Sequence, residues 1–332
     1  MPKLLLCCAC LLVACTLLAV EADALTALPE LPRPRLQTGA TPPFDPPAGT
    51  ALAPWVRLVP GSRVVLDGTV LVDRGPSDGL EVFACLREGK THESFIRLNG
   101  DTGDVIKAAG IAALGLSDGR PAEENRGIPA RGTPLRLTVL WKDEDGVWRW
   151  SDAACLVRDR RTDRAYPPLP WLWTGSRMQL IAEAGVGGKV VSRERFMLDS
   201  TRSLAVNYDE PDALLASPFP NANEDQRFEV NSSIAPPVGT LLHLALSPAE
   251  TVLQLRLLPD GRIERDGTAL DLPALTSALA AAFSVAATPP HRAVFVRTAN
   301  GVGDDLVVAA RARILAAAAA GKAWTVPLFV PE

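Results

Sequence analysis

Along this 332-residue chain, alternating apolar and polar positions mark a run of short strands. GSRVVLDGTVLV (61–72) alternates around Asp67-Gly68, a dipeptide that predicts a hairpin turn. LEVFACL (80–86) and HESFIRL (92–98) bracket REGKT and predict a second hairpin. Strands are expected at TPLRLTVLW (133–141) and VWRWSD (147–152), with KDEDG as the turn between them, and again near PLPWLWTG, KVVSR and LAVNY. The period lengthens to that of a helix in DTGDVIKAAGIAALGL (101–116), where Val105, Ala108, Ala109 and Ala112 fall at helical spacing and Gly110 weakens the helix slightly. Asp101 or Thr102 is the expected cap. Residues 209–228 read as a long acidic and proline-containing loop.

After residue 246 the pattern changes. TVLQLRLLPDGRIERDGTALDL predicts a strand, an Asp260-Gly261 turn and a short strand. LPALTSALAAAFSV is an apolar helix that Asp271 can cap, and HRAVFVRT is a strand. GDDLVVAARARILAAAAAGK (303–322) is a second helix, with acids in its first turn and Gly321-Lys322 at its end, as the macrodipole and the C-cap favour. AWTVPLFVP is the last strand. The expected fold class is α+β: a β-rich domain with one or two helices over 55–246, then a small β-β-α-β-α-β sheet over 247–332 with its helices on one face.

The first residues change the picture of location. MPKLLLCCACLLVACTLLAVEADA has a short positive start, an apolar run from Leu4 to Val20 and the small residues Ala22-Asp23-Ala24, so residues 1–24 read as a secretory signal. A second cut stands beside it: Leu12-Val13-Ala14-Cys15 has the form of a lipobox, with Cys15 as the candidate lipidation site, although the apolar TLLAV after it is unlike a lipoprotein. The proline-dense residues 25–54 are expected to form an extended tether. The expectation is an extracytoplasmic protein, periplasmic or secreted, meeting the membrane only through a lipid anchor. The net charge of −4 and the lack of a long basic run exclude nucleic acid as the expected partner.

Candidate chemistry is sparse. A cut after Ala24 leaves Cys85 and Cys155, which either pair in an oxidising compartment or stay buried as small hydrophobes. The densest polar stretch is KTHES, whose Lys90, His92, Glu93 and Ser94 are the candidate catalytic residues in a chain with three histidines. On a regular strand His92 and Ser94 share one face and Glu93 takes the other. The stretch is not HExxH, since position 96 is Ile, so no zinc-protease helix is expected. Three readings stand: a polar hairpin end in which Lys90 and Glu93 pair, a small polar binding site in which His92 and Glu93 act as donor and acceptor, or a catalytic site in which His92 acts as base and Ser94 as nucleophile. Asp143, Glu144 and Asp145 lack the rest of an EF-hand loop and read as a solvated turn. Trp171 and Trp173 face one side and are expected in the core, with a sugar-stacking platform as the alternative. Neither a metal nor a cofactor is expected.

The series LEVFAC, KTHES, the alanine-rich helix ending in LGL, GTPLRLTVLWKD, PLPWLWTGSR, AVNY and IAPPVGT resembles the YdjY-domain family of exported bacterial proteins over about residues 58–246. Lys90, His92, Glu93 and Ser94 match its most recognisable stretch, whereas Ala154-Cys155-Leu156 stands where relatives carry an acidic residue and Trp. Residues 247–332 are similar to the periplasmic domain of the ExbD/TolR biopolymer-transport family, on LLPDGRIERDGTAL, VFVRT, the 303–322 helix and TVPLFV. The stators of that family place an Asp-bearing membrane helix just before this domain, whereas the apolar run here is a leader far upstream and free of acid from Leu4 to Val20. The resemblances imply architecture and docking rather than a reaction. The leading expectation is a non-catalytic interaction or binding module of the envelope. Its partner would be an envelope protein, cell wall or a second copy met through the C-terminal domain. The alternatives are a hydrolase or ligand-modifying enzyme using Lys90, His92, Glu93 and Ser94, and an accessory subunit of a biopolymer-transport-like system.

Overall fold

The computed structural model describes residues 36–61, 63–75, 79–123, 126–184, 190–220, 222–224, 226–284, 287 and 289–332. The leader and lipobox readings of residues 1–24, Cys15 included, fall outside the described residues. The described chain falls into two compact units that meet in sequence at Glu250 and Thr251, except that Leu328–Pro331 group with the first. It is a mixed α+β protein, as the pattern predicts.

In the first unit the strands are β1 (Gln37–Gly39), β2 (Thr50–Ala53), β3 (Val56–Val59), β4 (Arg63–Val70), β5 (Val82–Cys85), β6 (Ser94–Leu98), β7 (Thr133–Lys142), β8 (Trp148–Asp152), β9 (Val157–Asp159), β10 (Arg164–Ala165), β11 (Trp171–Trp173), β12 (Met178–Ala184), β13 (Val190–Phe196), β14 (Ser203–Val206), β15 (Leu215–Ala216), β16 (Phe228–Val230) and β17 (Leu241–Pro248). Helix α1 spans Asp104–Leu114 and the short α2 Met197–Thr201. The main sheet runs β1-β8-β7-β11-β15-β14-β5-β6-β4-β3-β2, and β17 pairs with both β4 and β7. The path β4-β6-β5-β14-β15-β11-β7-β17 therefore returns to β4, so the ladder closes on itself and buries what would be open edges.

Strand β17 is the closing stave. Its Leu244 sits opposite Leu66 of β4 and Val139 of β7, and Leu246 opposite Val64 and Leu137, all buried. On the other face Val59, Val65, Leu140 and Ala245 form a cluster, covered by Phe44, Trp148 and Trp150. Phe44 belongs to the stretch expected as a free tether. That expectation needs correcting from residue 37 onward, because β1 pairs with β8 and β2 with β3. The indole of Trp150 donates to Gln37 Oε1, and Arg57 Nε donates to the Pro46 carbonyl at 3.1 Å. The prolines do not prevent this, since the chain pairs where they are absent and lies across apolar side chains where they are dense.

Two expected hairpins are absent. Asp67-Gly68 lies inside β4 and is not a turn. Glycine is needed there for close approach: a Cβ would stand 2.9 Å from the Arg97 carbonyl oxygen and 2.9 Å from Ile96. Strands β5 and β6 run parallel, with Val82 opposite Ser94 and Ala84 opposite Ile96. After β5 the amides of Leu86 and Arg87 donate to the carbonyls of Arg202 and Gly100, both at 2.8 Å; the chain then returns until the Val82 amide meets the Glu93 carbonyl at 3.1 Å. The segment between them is a short crossover.

Trp171 and Trp173 are fully buried core residues, so the sugar-platform alternative is set aside. Aromatic contacts link Phe95, Phe83, Trp171, Phe219, Tyr166 and Phe228 into one series. Its far end lies in the small sheet β10-β9-β16. There the Arg227–Asp159 ion pair, at 2.6 Å, is almost fully buried, and Asp159 also accepts from Tyr166 at 3.3 Å and from the Arg161 amide at 2.8 Å.

After Thr251 come β18 (Gln254–Leu257), β19 (Ile263–Arg265), β20 (Thr268–Ala269), α3 (Leu272–Phe283), β21 (Ala293–Thr298), α4 (Asp304–Ala320) and β22 (Val326–Pro331). The sheet order is β20-β19-β18-β21-β22, with β18 and β21 parallel. Asp271 caps α3 by accepting from the Ala274 amide at 2.8 Å. Leu275, Leu279 and Phe283 of α3, with Val307, Ile314 and Ala317 of α4, supply the buried helix faces.

Candidate functional site

The KTHES stretch occupies the crossover between β5 and β6, and β6 begins at Ser94. His92 and Glu93 thus precede the strand, so the alternation expected of them does not apply. Lys90 Nζ lies 3.3 Å from Glu93 Oε1 and 3.4 Å from Glu210 Oε2. Burial by itself would lower the pKa of this ammonium, but the carboxylates of Glu210 and Glu93 outweigh it and hold the group above the usual lysine range. The expected Lys90–Glu93 pair is present, and Glu210, between β14 and β15 in a stretch expected as one long loop, joins it across a wide gap in sequence.

Ser94 Oγ is buried and donates to the Lys90 carbonyl at 2.6 Å, which ties the turn back to the start of the strand. The His92 side chain is 76% exposed, with Nε2 3.9 Å from Glu93 Oε2. The structure brings Lys90 and Glu93 together and leaves His92 at the rim. Among the described residues no hydrogen bond joins His92 to Ser94. As it stands the arrangement can hold a turn and present a small, mixed-charge surface. For the base–nucleophile reading, the imidazole would have to reach a hydroxyl already engaged beneath it.

A second polar cluster was not legible in the chain. Asp67 of β4 and His243 of β17 are directly opposed. His243 Nδ1 lies 2.7 Å from Asp67 Oδ1, and the Arg57 guanidinium pairs with the same oxygen. Because an ionised carboxylate can only accept, Nδ1 carries the proton. Burial would raise the Asp67 pKa, but the hydrogen bonds from His243 and Arg57 prevail and hold it below the usual carboxylate range. The Trp148 ring lies 5.9 Å from the imidazole, and Lys142 Nζ stands 5.0 Å over that indole. The group sits beside the Val65–Leu140–Ala245 cluster, where Arg57 also holds the Pro46 carbonyl. It clamps the N-terminal stretch against the wall of the closed sheet.

The remaining candidates are structural. Cys85 and Cys155 are both free and buried, so of the two readings the disulfide is not formed. Burial pushes both thiols up, which keeps them protonated and poorly nucleophilic. Asp143 spends its carboxylate on the β7–β8 turn, accepting from the amides of Asp145 at 3.1 Å and Val147 at 2.8 Å and from Arg149 Nε at 2.7 Å. Among the described residues no cluster of His, Cys, Asp and Glu suits a metal ion, and no helix is long and apolar enough to cross a membrane. In comparisons with known proteins, no family model, no curated protein and no solved structure matches the chain.

Proposed function

We propose that this chain is an exported bacterial cell-envelope protein that works as a non-catalytic interaction or binding module. One observation carries the reading: in the stretch richest in reactive side chains Lys90, Glu93 and Ser94 are already engaged, and the exposed His92 stands apart from the Ser94 hydroxyl. Ser94 Oγ is bound to the Lys90 carbonyl, and Lys90 is shared by Glu93 and Glu210. The leader pattern of residues 1–24, with Cys15 as candidate anchor, supports export, and the resemblance of the motif order to exported YdjY-domain proteins agrees with the same compartment. The order of the second unit, β-β-β-α-β-α-β with one short strand more than the pattern predicts, favours, as a second reading, an accessory subunit of a biopolymer-transport-like system.

Crosslinking in intact cells tests the proposal. A specific envelope partner other than the chain itself should be captured equally by the parent and by His92→Ala and Ser94→Ala variants. Failure to capture any such partner, or a substrate turned over by the parent and not by those variants, would overturn it.

A further inference from the structure

The ribbon formed by β12 and β13 stands apart from every other ladder. Its strands pair with each other from Met178↔Phe196 to Ala184↔Val190 and, among the described residues, with no third strand. A two-stranded ribbon by itself is marginally stable in water. One of its faces carries Met178 and Leu180, 55% and 67% exposed, with Ala182 beyond them.

The two edges differ in chemistry. The β13 edge carries Arg193-Glu194-Arg195, all exposed. Charges so placed blunt an edge against strand addition. The β12 edge carries Met178-Gln179-Leu180-Ile181-Ala182, with no charge over the five positions. Pairing is therefore directed to β12.

The geometry points to a second copy of this chain as the occupant, joined through antiparallel β12 strands into a four-stranded sheet. Around a twofold axis through Leu180, each Leu180 faces its counterpart. Each large Met178 meets the small Ala182 of the other copy, and Gln179 meets Ile181. The ladder is uncharged, sets large against small at Met178 and Ala182, and is free of opposed like charges. The corresponding self-pairing of β13 about Glu194 sets Glu194 against Glu194 and Arg193 against Arg195, which like-charge repulsion disfavours. The inference does not depend on the envelope reading, since it concerns the purified chain alone.

The test combines sedimentation velocity over a range of concentrations with cysteine crosslinking. The parent and Glu194→Lys should dimerise, whereas Leu180→Lys, which sets two ammonium groups face to face, should lose the dimer while keeping the parent's thermal unfolding transition. Leu180→Cys should give a disulfide-linked dimer band absent from the parent, because directly opposed antiparallel residues have Cα atoms about 4.5–5.5 Å apart, within disulfide range. Arg193→Cys should not. A parent that stays monomeric throughout while Leu180→Cys gives no band would overturn the inference, whatever else binds the ribbon. So would a dimer unaffected by Leu180→Lys, or equal crosslinking from Arg193→Cys. Should Leu180→Lys fail to fold, the crosslinking result decides.

Discussion

Asp67 and Asp152 are two partly or wholly buried carboxylates whose environments push their proton affinities in opposite directions. Asp67 is held low by His243 and Arg57, so its contribution to stability is present above the ordinary value of 3.8 and is lost as pH falls through the lowered native value. Asp67→Ala should cost about 1–3 kcal/mol at pH 7 by leaving Arg57 and His243 without their shared acceptor, as read from denaturant midpoints. Asp152 is buried at the start of the Ala153–Leu156 turn, where it accepts from the Ala154 amide at 3.2 Å and from Arg136 Nε at 3.2 Å. Burial dominates those bonds and pushes it up to about 6. The native state therefore holds a proton that the unfolded chain releases near 3.8, and this stability is lost as pH rises from about 4 through about 6. Two pH units correspond to about 3 kcal/mol. Asp152→Asn should flatten stability between pH 4 and 7 while keeping the cap, and chemical denaturation at several pH values checks it.

At the scale of the element, Gly110 shows local preference and packing pulling against each other. It sits in α1, where alanine would gain about 1 kcal/mol of helix propensity. A Cβ there would lie 2.7 Å from the ring of Trp173, which is fully buried and has no room to retreat. Overpacking of that kind costs about 1–3 kcal/mol, so Gly110→Ala should destabilise the protein or at best leave it unchanged in a thermal melt. The β5–β6 crossover depends in turn on Ser94, whose hydroxyl pins the turn. Ser94→Ala should lower stability by about 1 kcal/mol, measured by denaturant unfolding. The caps of α1 and α3 also differ. Asp271 caps α3 from within its own segment, whereas the Gly103 amide at the start of α1 is met by Asp199 Oδ1 of α2 at 2.7 Å, and Asp101, the expected cap, pairs with Arg87.

For the whole first unit, closure of the sheet is the organising event, and it rests on β17. This strand joins β4 to β7 across more than a hundred residues, with its side chains buried on both faces. Leu244→Ala removes packing against Leu66 and Val139 together and should cost about 2–5 kcal/mol. Hydrogen exchange would check that the loss is global: the β4 and β7 amides should lose protection along with those of β17. A loss confined to β17 would show that the ring tolerates an open stave.

The chain by itself determined whatever rests on neighbours in sequence. The Asp271 cap, the β7–β8 turn around Asp143, the α4 helix with acids in its first turn and the alternation of elements in the second unit all follow from hydrogen bonds and backbone preferences spanning a few residues. Tertiary structure decided the partners. Asp67-Gly68 had the residues of a turn, yet a better burial lay in continuing the strand beneath Arg97 and Ile96. LEVFACL and HESFIRL had the spacing of a hairpin, yet β5 is drawn on by Arg202 and Gly100 until the pair becomes parallel. Asp67 and His243 are separated by most of the first unit and meet only because β17 closes the ring. An alternating pattern states which side of a strand is apolar; it carries no information about which distant strand will cover that side, because burial depends on surface and not on the order in which the residues were joined.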